Sequence, residues 1–375
     1  MFSIPGINKN YSLGVDFGTS SIKIVELEYK NGSSFLSNYG WIEIPQKKKV
    51  SDFEIKNDSD EEIEKIQLLK KLIEEMGIKS KSAYIAMGSF KGLSAMISVN
   101  DIHEDNLDDV IRAEASKYIP VSLDEVYLSS DIVSKRIEKN DNGSVAGKKF
   151  LRKKEKEVVD VLLVAAPKDD VHRYERIVEG SGLKVASLEL DIFSATRSLV
   201  GDDLGKFLII DIGAKITNII LVDKGVIRVN RNINVGGDEI TKNIASNLNV
   251  SWDRAEEFKK KNNYLKEEGK AIVLPILNLI AKEAKRLVEL VSVGNNLSKP
   301  LDKVILVGGG SDVLGIVDIF KETLGDGVVM GNPFEKVIIE SDIIKTNIAN
   351  ISPKFSVATG LAIKGAEIYR KKHGV

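Results

Sequence analysis

The chain of 375 residues contains no cysteine. Disulfides, thiolate metal sites and a cysteine nucleophile are therefore excluded. Histidine is nearly absent: His103, His172 and His373 are the full set. That is too few for a multi-histidine metal site, and none stands in the setting a Ser–His–Asp triad requires. There is no charge excess either. The 54 basic and 55 acidic residues cancel, which gives no support for a nucleic-acid-binding surface. Long hydrophobic runs are also missing. The stretch around Ala271–Ala281 is interrupted by Pro275 and Asn278 and falls short of the roughly 20 residues that span a bilayer. Met1–Ser12 is short and polar, without the apolar core of a signal peptide. The expectation is a soluble, cytoplasmic chain with no direct membrane insertion.

What is present suits a globular protein. The apolar share is 43%, and the length suggests two or three domains, each with its own core. Leu13–Asp16, a tight Phe17–Gly18 turn and the partly alternating Ile22–Glu28 predict a β-hairpin. Phe35–Ile44 adds a strand, and Glu61–Met76 has helical spacing that stops at Gly77. Leu93–Val99, Val126–Val133 and Val158–Ala165 read as strands, with Asn106–Tyr118 as an amphipathic helix. Two charged stretches, Gln46–Glu62 and Ser134–Glu157, read as solvated loops. The opening then recurs: Phe207–Gly213 and Ile216–Val222 repeat the apolar strand, the Asp-x-Gly and the β-branched strand. Internal repetition of this kind predicts two related α/β halves facing each other.

The spacing of polar residues at these turns suits a nucleotide. Asp16-Phe17-Gly18-Thr19-Ser20-Ser21 offers backbone N–H groups and three hydroxyls to phosphates, because a tight turn without a Cβ forms an anion-binding concavity. Lys23, two residues on, can reach a phosphate as a point charge. Asp16 and Asp211 end two apolar strands, where a carboxylate is costly unless it is paired or metal-linked. Together they suit Mg²⁺ held through water. Gly213, Lys215 and Thr217 grip from the second turn. Gly236-Gly237 opens a helix whose N-terminus favours an anion. Gly308, Gly309, Gly310 and Ser311 follow a strand and let a flat adenine approach the backbone.

These motifs, in this order, resemble the actin, sugar kinase and heat-shock chaperone superfamily. Asp16–Lys23 is similar to its first phosphate motif, Asp211–Thr217 to its second, Val307–Ser311 to its adenosine motif and Ser356–Ala362 to its closing helix. Within that superfamily the chain resembles the PilM family of type IV pilus assembly, with FtsA and the type II secretion protein GspL as relatives. The likeness rests on Glu114–Pro120, Val159–Lys168, Gly182–Val185, Glu189–Leu199, on Arg231, Gly236, Gly237, Asp238 and Thr241, and on Trp252–Lys260 and Glu283–Arg286. It covers about residues 11–370.

The resemblance implies an actin-like ATPase fold of two duplicated α/β halves around a nucleotide cleft. It places the first half of the N-terminal domain at 11–92, an inserted PilM/FtsA-type subdomain at 93–189, a second actin-like domain at 190–355 and a connecting helix at 356–370. It implies ATP and Mg²⁺ as ligands, with Glu283 toward the ribose and slow or absent hydrolysis. It further implies a scaffold that receives the cytoplasmic N-terminal tail of a PilN-like inner-membrane protein. That partner recruits the chain to the inner face of the membrane, and the chain links it to the pilus motor ATPase; self-association is left open. Two other readings compete, a GspL- or FtsA-like protein and a small-molecule kinase of the sugar kinase type. No sugar-binding constellation accompanies the motifs, and the tail after Tyr369 is too short to lie stably on a membrane.

Overall fold

The computed structural model describes residues 10–45, 58–100, 107–139, 155–261, 270–294 and 300–373. Most of the two stretches read as solvated loops lies outside these residues. What is described of them is regular: α1 (Asp58–Met76) already begins inside the first, and strands β6 (Val126–Lys139) and β7 (Glu155–Pro167) extend into the second.

The duplication is plain in the topology. The first five-stranded sheet has the order β3-β2-β1-β4-β8, with β1 (Tyr11–Phe17), β2 (Ser21–Lys30), β3 (Ser33–Glu43), β4 (Ser82–Met87) and β8 (Lys184–Leu190). β1, β2 and β3 are antiparallel; β4 joins β1, and β8 joins β4, in parallel. The second has the order β11-β10-β9-β12-β13, with β9 (Lys206–Ile212), β10 (Thr217–Asp223), β11 (Val226–Ile233), β12 (Lys303–Val307) and β13 (Val328–Met330). It repeats the same directions. In β9 every residue except Asp211 is buried, as expected of a central strand covered on both faces. Helices α5 (Gly237–Leu248), α7 (Lys270–Gly294) and α8 (Ile316–Leu324) pack on the second sheet around Leu208, Ile210, Ile219, Leu277, Ile280 and Phe320.

Compactness divides the chain into two units. The larger holds both five-stranded sheets; the smaller is Phe90–Val171. In the smaller unit β7 lies between β5 (Leu93–Asn100) and β6, antiparallel to both. One face packs Ile97, Val99, Val159, Val161 and Leu163 with Ile111 and Ala115 of α2 (Leu107–Ala115). On the other face Asp160 accepts hydrogen bonds from Ser98 Oγ at 2.6 Å and Ser134 Oγ at 2.7 Å and pairs with Arg136. This compact unit ends at Val171, whereas the insertion is expected over 93–189. β8 pairs with β4 in the first sheet because its apolar residues complete that sheet's edge.

Two further helices close the larger unit. α4 (Asp191–Leu199) follows β8, and α10 (Ser356–His373) returns across β1 and β2. The contact between them is close: a Cβ on Gly360 would lie 1.8 Å from the Ser194 carbonyl oxygen, so only glycine fits. Glu189 at the end of β8 fixes this junction. It accepts from Ser194 Oγ at 2.6 Å, Arg197 Nη1 at 2.6 Å and Lys364 Nζ at 2.8 Å. Burial alone pushes its carboxyl upward, yet Arg197 and Lys364 hold it below the ordinary value.

A second buried carboxylate holds the first sheet. Glu26 is fully buried. Its oxygens accept four hydrogen bonds: from Ser37 Oγ and Asn38 Nδ2 at 3.1 Å, and from the backbone N–H groups of Lys79 and Ser80 at 2.8 Å. An ionised carboxylate is acceptor-only and satisfies all four donors, whereas an amide would turn a donor toward one or more of them. Glu26→Gln is expected to destabilise the protein by about 1–3 kcal/mol. Urea denaturation checks this: the midpoint falls while the slope stays constant.

Candidate functional site

Asp16 and Asp211 occupy the same position in the duplicated plan, each the penultimate residue of its sheet's central strand. Asp16 lies across the hairpin from Lys23, whose Nζ is 3.1 Å from Asp16 Oδ2. A third carboxylate, Asp191, opens α4. Its Oδ1 accepts from the Ser89 backbone N–H at 3.0 Å and its Oδ2 from Asn218 Nδ2 at 3.1 Å. Asn218 is in turn the register partner of Asp211 on the neighbouring strand. Its own Oδ1 is buried with no donor.

The electrostatics follow from this crowding. Burial pushes the Asp211 carboxyl up to about 7, helped by the charges of Asp191 and Asp16 and opposed by Lys23. Burial also raises Asp191, to about 6, against the hydrogen bonds from Ser89 and Asn218 and with Asp16 adding to the rise. Three carboxylates around one ammonium group leave a negative excess that a cation would relieve.

Beside the carboxylates the backbone is bare. Gly308 has φ +90°, and a Cβ there would lie 2.3 Å from Asp211 Oδ1. A Cβ on Gly310 would lie 2.5 Å from Ile212 Cγ2, and one on Gly237 3.3 Å from the Gly310 Cα. The Gly237 N–H donates to the Gly213 carbonyl at 2.9 Å, which sets the start of α5 against the second hairpin turn. Gly237, Gly308 and Gly310 are buried, and their missing Cβ atoms let the second hairpin turn, the start of α5 and the loop after β12 close on one another next to Asp211. Gly309 is exposed, with nothing near its missing Cβ. A helix start and bare backbone of this kind suit an anion and a flat ring.

The remaining expected residues divide. Gly18, Thr19 and Ser20 form the first turn, with Thr19 exposed and Ser21 buried behind it. Lys215 is exposed in the second turn. Thr217 is fully buried, and its hydroxyl donates to the Val235 carbonyl at 2.7 Å. Ser311 is also buried and donates to the Gly308 carbonyl at 2.7 Å. Both hydroxyls brace the glycine-bearing backbone from behind. Glu283 is engaged elsewhere: Arg231 Nη2 stands 3.0 Å from its Oε2, and Arg286 is 3.9 Å from its Oε1.

Two groups escaped the sequence reading. Asp191 falls in the Glu189–Leu199 stretch that carries the family resemblance, but no local motif marks it as a site residue; it stands just past β8. The other is Lys259 on α6 (Trp252–Lys261). It is 4% exposed, and its Nζ is 2.8 Å from Thr241 Oγ1, 3.2 Å from the Gly237 carbonyl and 2.6 Å from Glu256. Glu256 and Lys259 stand three apart, a spacing that reads as a solvated ion pair. Here it anchors the Gly237 helix start.

Comparison with known proteins follows this geometry. Residues 14–366 match the family described as type IV pilus assembly protein PilM. A solved PilM–PilN type IV pilus biogenesis complex is similar in fold, with TM-score 0.75 and 24% identity, covering 95% of this chain and 98% of that one. MreB5 of Spiroplasma citri, solved with ADP and with AMPPNP, gives TM-score 0.50 at 14% identity, covering 98% of this chain and 99% of that one. The cell division protein FtsA of Bacillus subtilis is 24% identical over 366 residues, 93% of this chain and 80% of that protein. That of Enterococcus hirae is 23% identical over 349 residues, 86% and 78%. The fold is actin-like, as the family resemblance implies.

The raised carboxyl of Asp211 has a stability consequence. The folded chain holds this proton up to about pH 7, whereas the unfolded chain releases it near 3.8. The group therefore costs nothing below pH 3.8, and stability falls as pH rises from there to about 7. Asp211→Asn removes the buried charge and is expected to stabilise the ligand-free protein at pH 8 by about 1–2 kcal/mol. Thermal melts at pH 8 and pH 4.5 check it, with the gain shrinking at the lower pH.

Proposed function

The chain belongs to the PilM family of type IV pilus assembly proteins, and from that membership we propose that it is an ATP-binding scaffold of the inner-membrane pilus complex. One observation carries the reading. Two equivalent strand ends hold Asp16, with Lys23, and Asp211 close enough to interact, beside a tightly packed glycine loop whose Gly309 is open to solvent.

In this reading Asp16 and Asp211 take Mg²⁺ through water. Among the described residues no group of three or more His, Asp or Glu is placed to ligate an ion directly, and Mg²⁺ commonly keeps several waters beside phosphate oxygens. Lys23 leaves Asp16 for the phosphates, and the turn of Gly18, Thr19 and Ser20 supplies backbone donors with Gly213 and the exposed Lys215. Gly237 presents the start of α5, held by Lys259. Gly308, Gly309 and Gly310 border the adenine. Thr217 and Ser311 act from behind, through the backbone they brace. Glu283 reaches the ribose only if it gives up Arg231.

Turnover is expected to be slow. Asp191 is the carboxylate of the trio that lies outside the two hairpins, and both its oxygens already accept hydrogen bonds, from Ser89 and Asn218. That holds it as an orienting group, not as an open base. ATP then acts by fixing the two halves in one arrangement, and a partner that prefers this arrangement binds more tightly. The partner is the cytoplasmic N-terminal tail of a PilN-like membrane protein, which brings the chain to the inner face of the membrane and connects it with the motor. No helix among the described residues is long and apolar enough to cross a membrane.

Calorimetric titration tests this. Mg·ATP is expected to bind the wild-type chain, and a synthetic PilN-like N-terminal peptide to bind with higher affinity once ATP is present. Asp16→Ala is expected to weaken ATP by at least about tenfold, the equivalent of about 1.4 kcal/mol. No heat with Mg·ATP, or equal ATP affinity in the variant, contradicts the proposal.

A further inference from the structure

The short turn before α10, Ser352–Phe355, is a meeting point for elements from both halves of the larger unit. The Gly308 N–H donates to the Pro353 carbonyl at 3.0 Å. Asp312, at the end of the same glycine loop, is ion-paired with Lys354. Ser198 of α4, the helix that Asp191 opens, donates from its Oγ to the Ser356 carbonyl at 2.7 Å. Two contacts thus tie this turn to the glycine loop, and a third ties the start of α10, the next residue, to α4.

Its other side faces the first sheet. Phe355 is 1% exposed. Its ring lies 5.8 Å from Tyr39, 6.1 Å from Trp41 and 6.2 Å from Phe334, centroid to centroid. Trp41 sits on β3 directly across from Lys23 of β2 and is 48% exposed. One indole edge therefore rests on a buried ring that is covalently joined to Lys354, while the rest of the indole meets solvent. Close-packed rings do not deform independently, so a shift of the turn is felt at Trp41.

We infer that the Ser352–Phe355 turn couples the glycine loop at Gly308–Asp312 to the Trp41 end of the first sheet, with the Asp312–Lys354 ion pair as the clasp and Phe355 as the output. The inference rests on the reading that Mg·ATP occupies the cleft. A ligand bordering Gly308–Gly310 moves or stiffens that loop. The clasp carries the change to Lys354, and Phe355 alters how Trp41 is packed. Coupling of this kind requires that the ligand favour one arrangement of the turn over another. Breaking the clasp separates the two sites while leaving Asp16, Lys23 and Asp211 untouched.

The chain's two tryptophans make this measurable. In Trp252→Phe the emission is that of Trp41 alone, and the same signal is the part of wild-type emission that Trp41→Phe removes. Iodide quenching is recorded with and without Mg·ATP, alongside calorimetry on each protein. The expected result is a change of about twofold in the Trp41 quenching constant on adding Mg·ATP. Asp312→Asn and Lys354→Met lose most of that change while still giving nucleotide heats, and Lys354→Arg, which keeps the ion pair, retains it. Nucleotide binding with no response from Trp41, or an unreduced response in both clasp variants, overturns the inference and leaves the functional reading standing. Absence of nucleotide heat in the wild-type chain overturns both.

Discussion

Desolvation of Asp211 beside the charges of Asp191 and Asp16 is the constraint on which the rest of the larger unit turns. Each carboxylate is brought in by a different element, β1, α4 and β9. Only Lys23 among the groups acting on Asp211 works against its raised pKa. A fold does not collect like charges in a partly closed place without opposing interactions elsewhere. Here those interactions are visible. Glu189 locks β8, α4 and α10 with Arg197 and Lys364, and Glu26 pins the Lys79–Ser80 segment to the first sheet. Those two carboxylates are satisfied by donors; at the site Asp16 is paired with Lys23 and Asp191 accepts from Ser89 and Asn218, while Asp211 faces the charges of both. Charge crowded at the meeting of two duplicated strand ends, next to bare backbone, is what a nucleotide with its cation would neutralise.

Duplication explains how one chain can present such a site. Each half alone supplies a hairpin, an acid at its strand end and a turn. Neither half by itself has enough groups to hold a triphosphate. The helices α4 and α10, packed with glycine at their contact, keep the halves in register. The smaller unit, Phe90–Val171, has its own core and its own carboxylate network around Asp160. It is built as an addition to the fold. Family membership places this architecture in type IV pilus assembly, where its proposed task is to present a partner surface governed by nucleotide.

Much of this was legible in the sequence, and what was not has identifiable causes. The repeated hairpin, the two strand-end aspartates and the glycine run all depend on local pattern, and the structure reproduces them. Side-chain direction does not follow from local pattern in the same way. Thr217 and Ser311 stand in the expected motifs, yet their hydroxyls turn inward to Val235 and Gly308. Glu283 was placed by its helix, but Arg231 arrives from β11 to claim it. Lys259 is one of three lysines in the last turn of α6, and only tertiary packing distinguishes it, by burying it against Gly237. Asp191 was hidden because a helix start and a strand end look alike from sequence when they are adjacent. An edge strand such as β8 likewise gives no sign in the sequence of which sheet it joins.

The measurement that bears most directly on the central claim is thermal denaturation of the wild-type chain at pH 8 with no nucleotide, with ATP and excess EDTA, and with Mg·ATP. If a desolvated Asp211 crowded by Asp191 and Asp16 is the constraint and a nucleotide-bound cation its relief, Mg·ATP raises the midpoint clearly and ATP with EDTA does so little or not at all. Equal stabilisation by both, or by neither, would contradict the account.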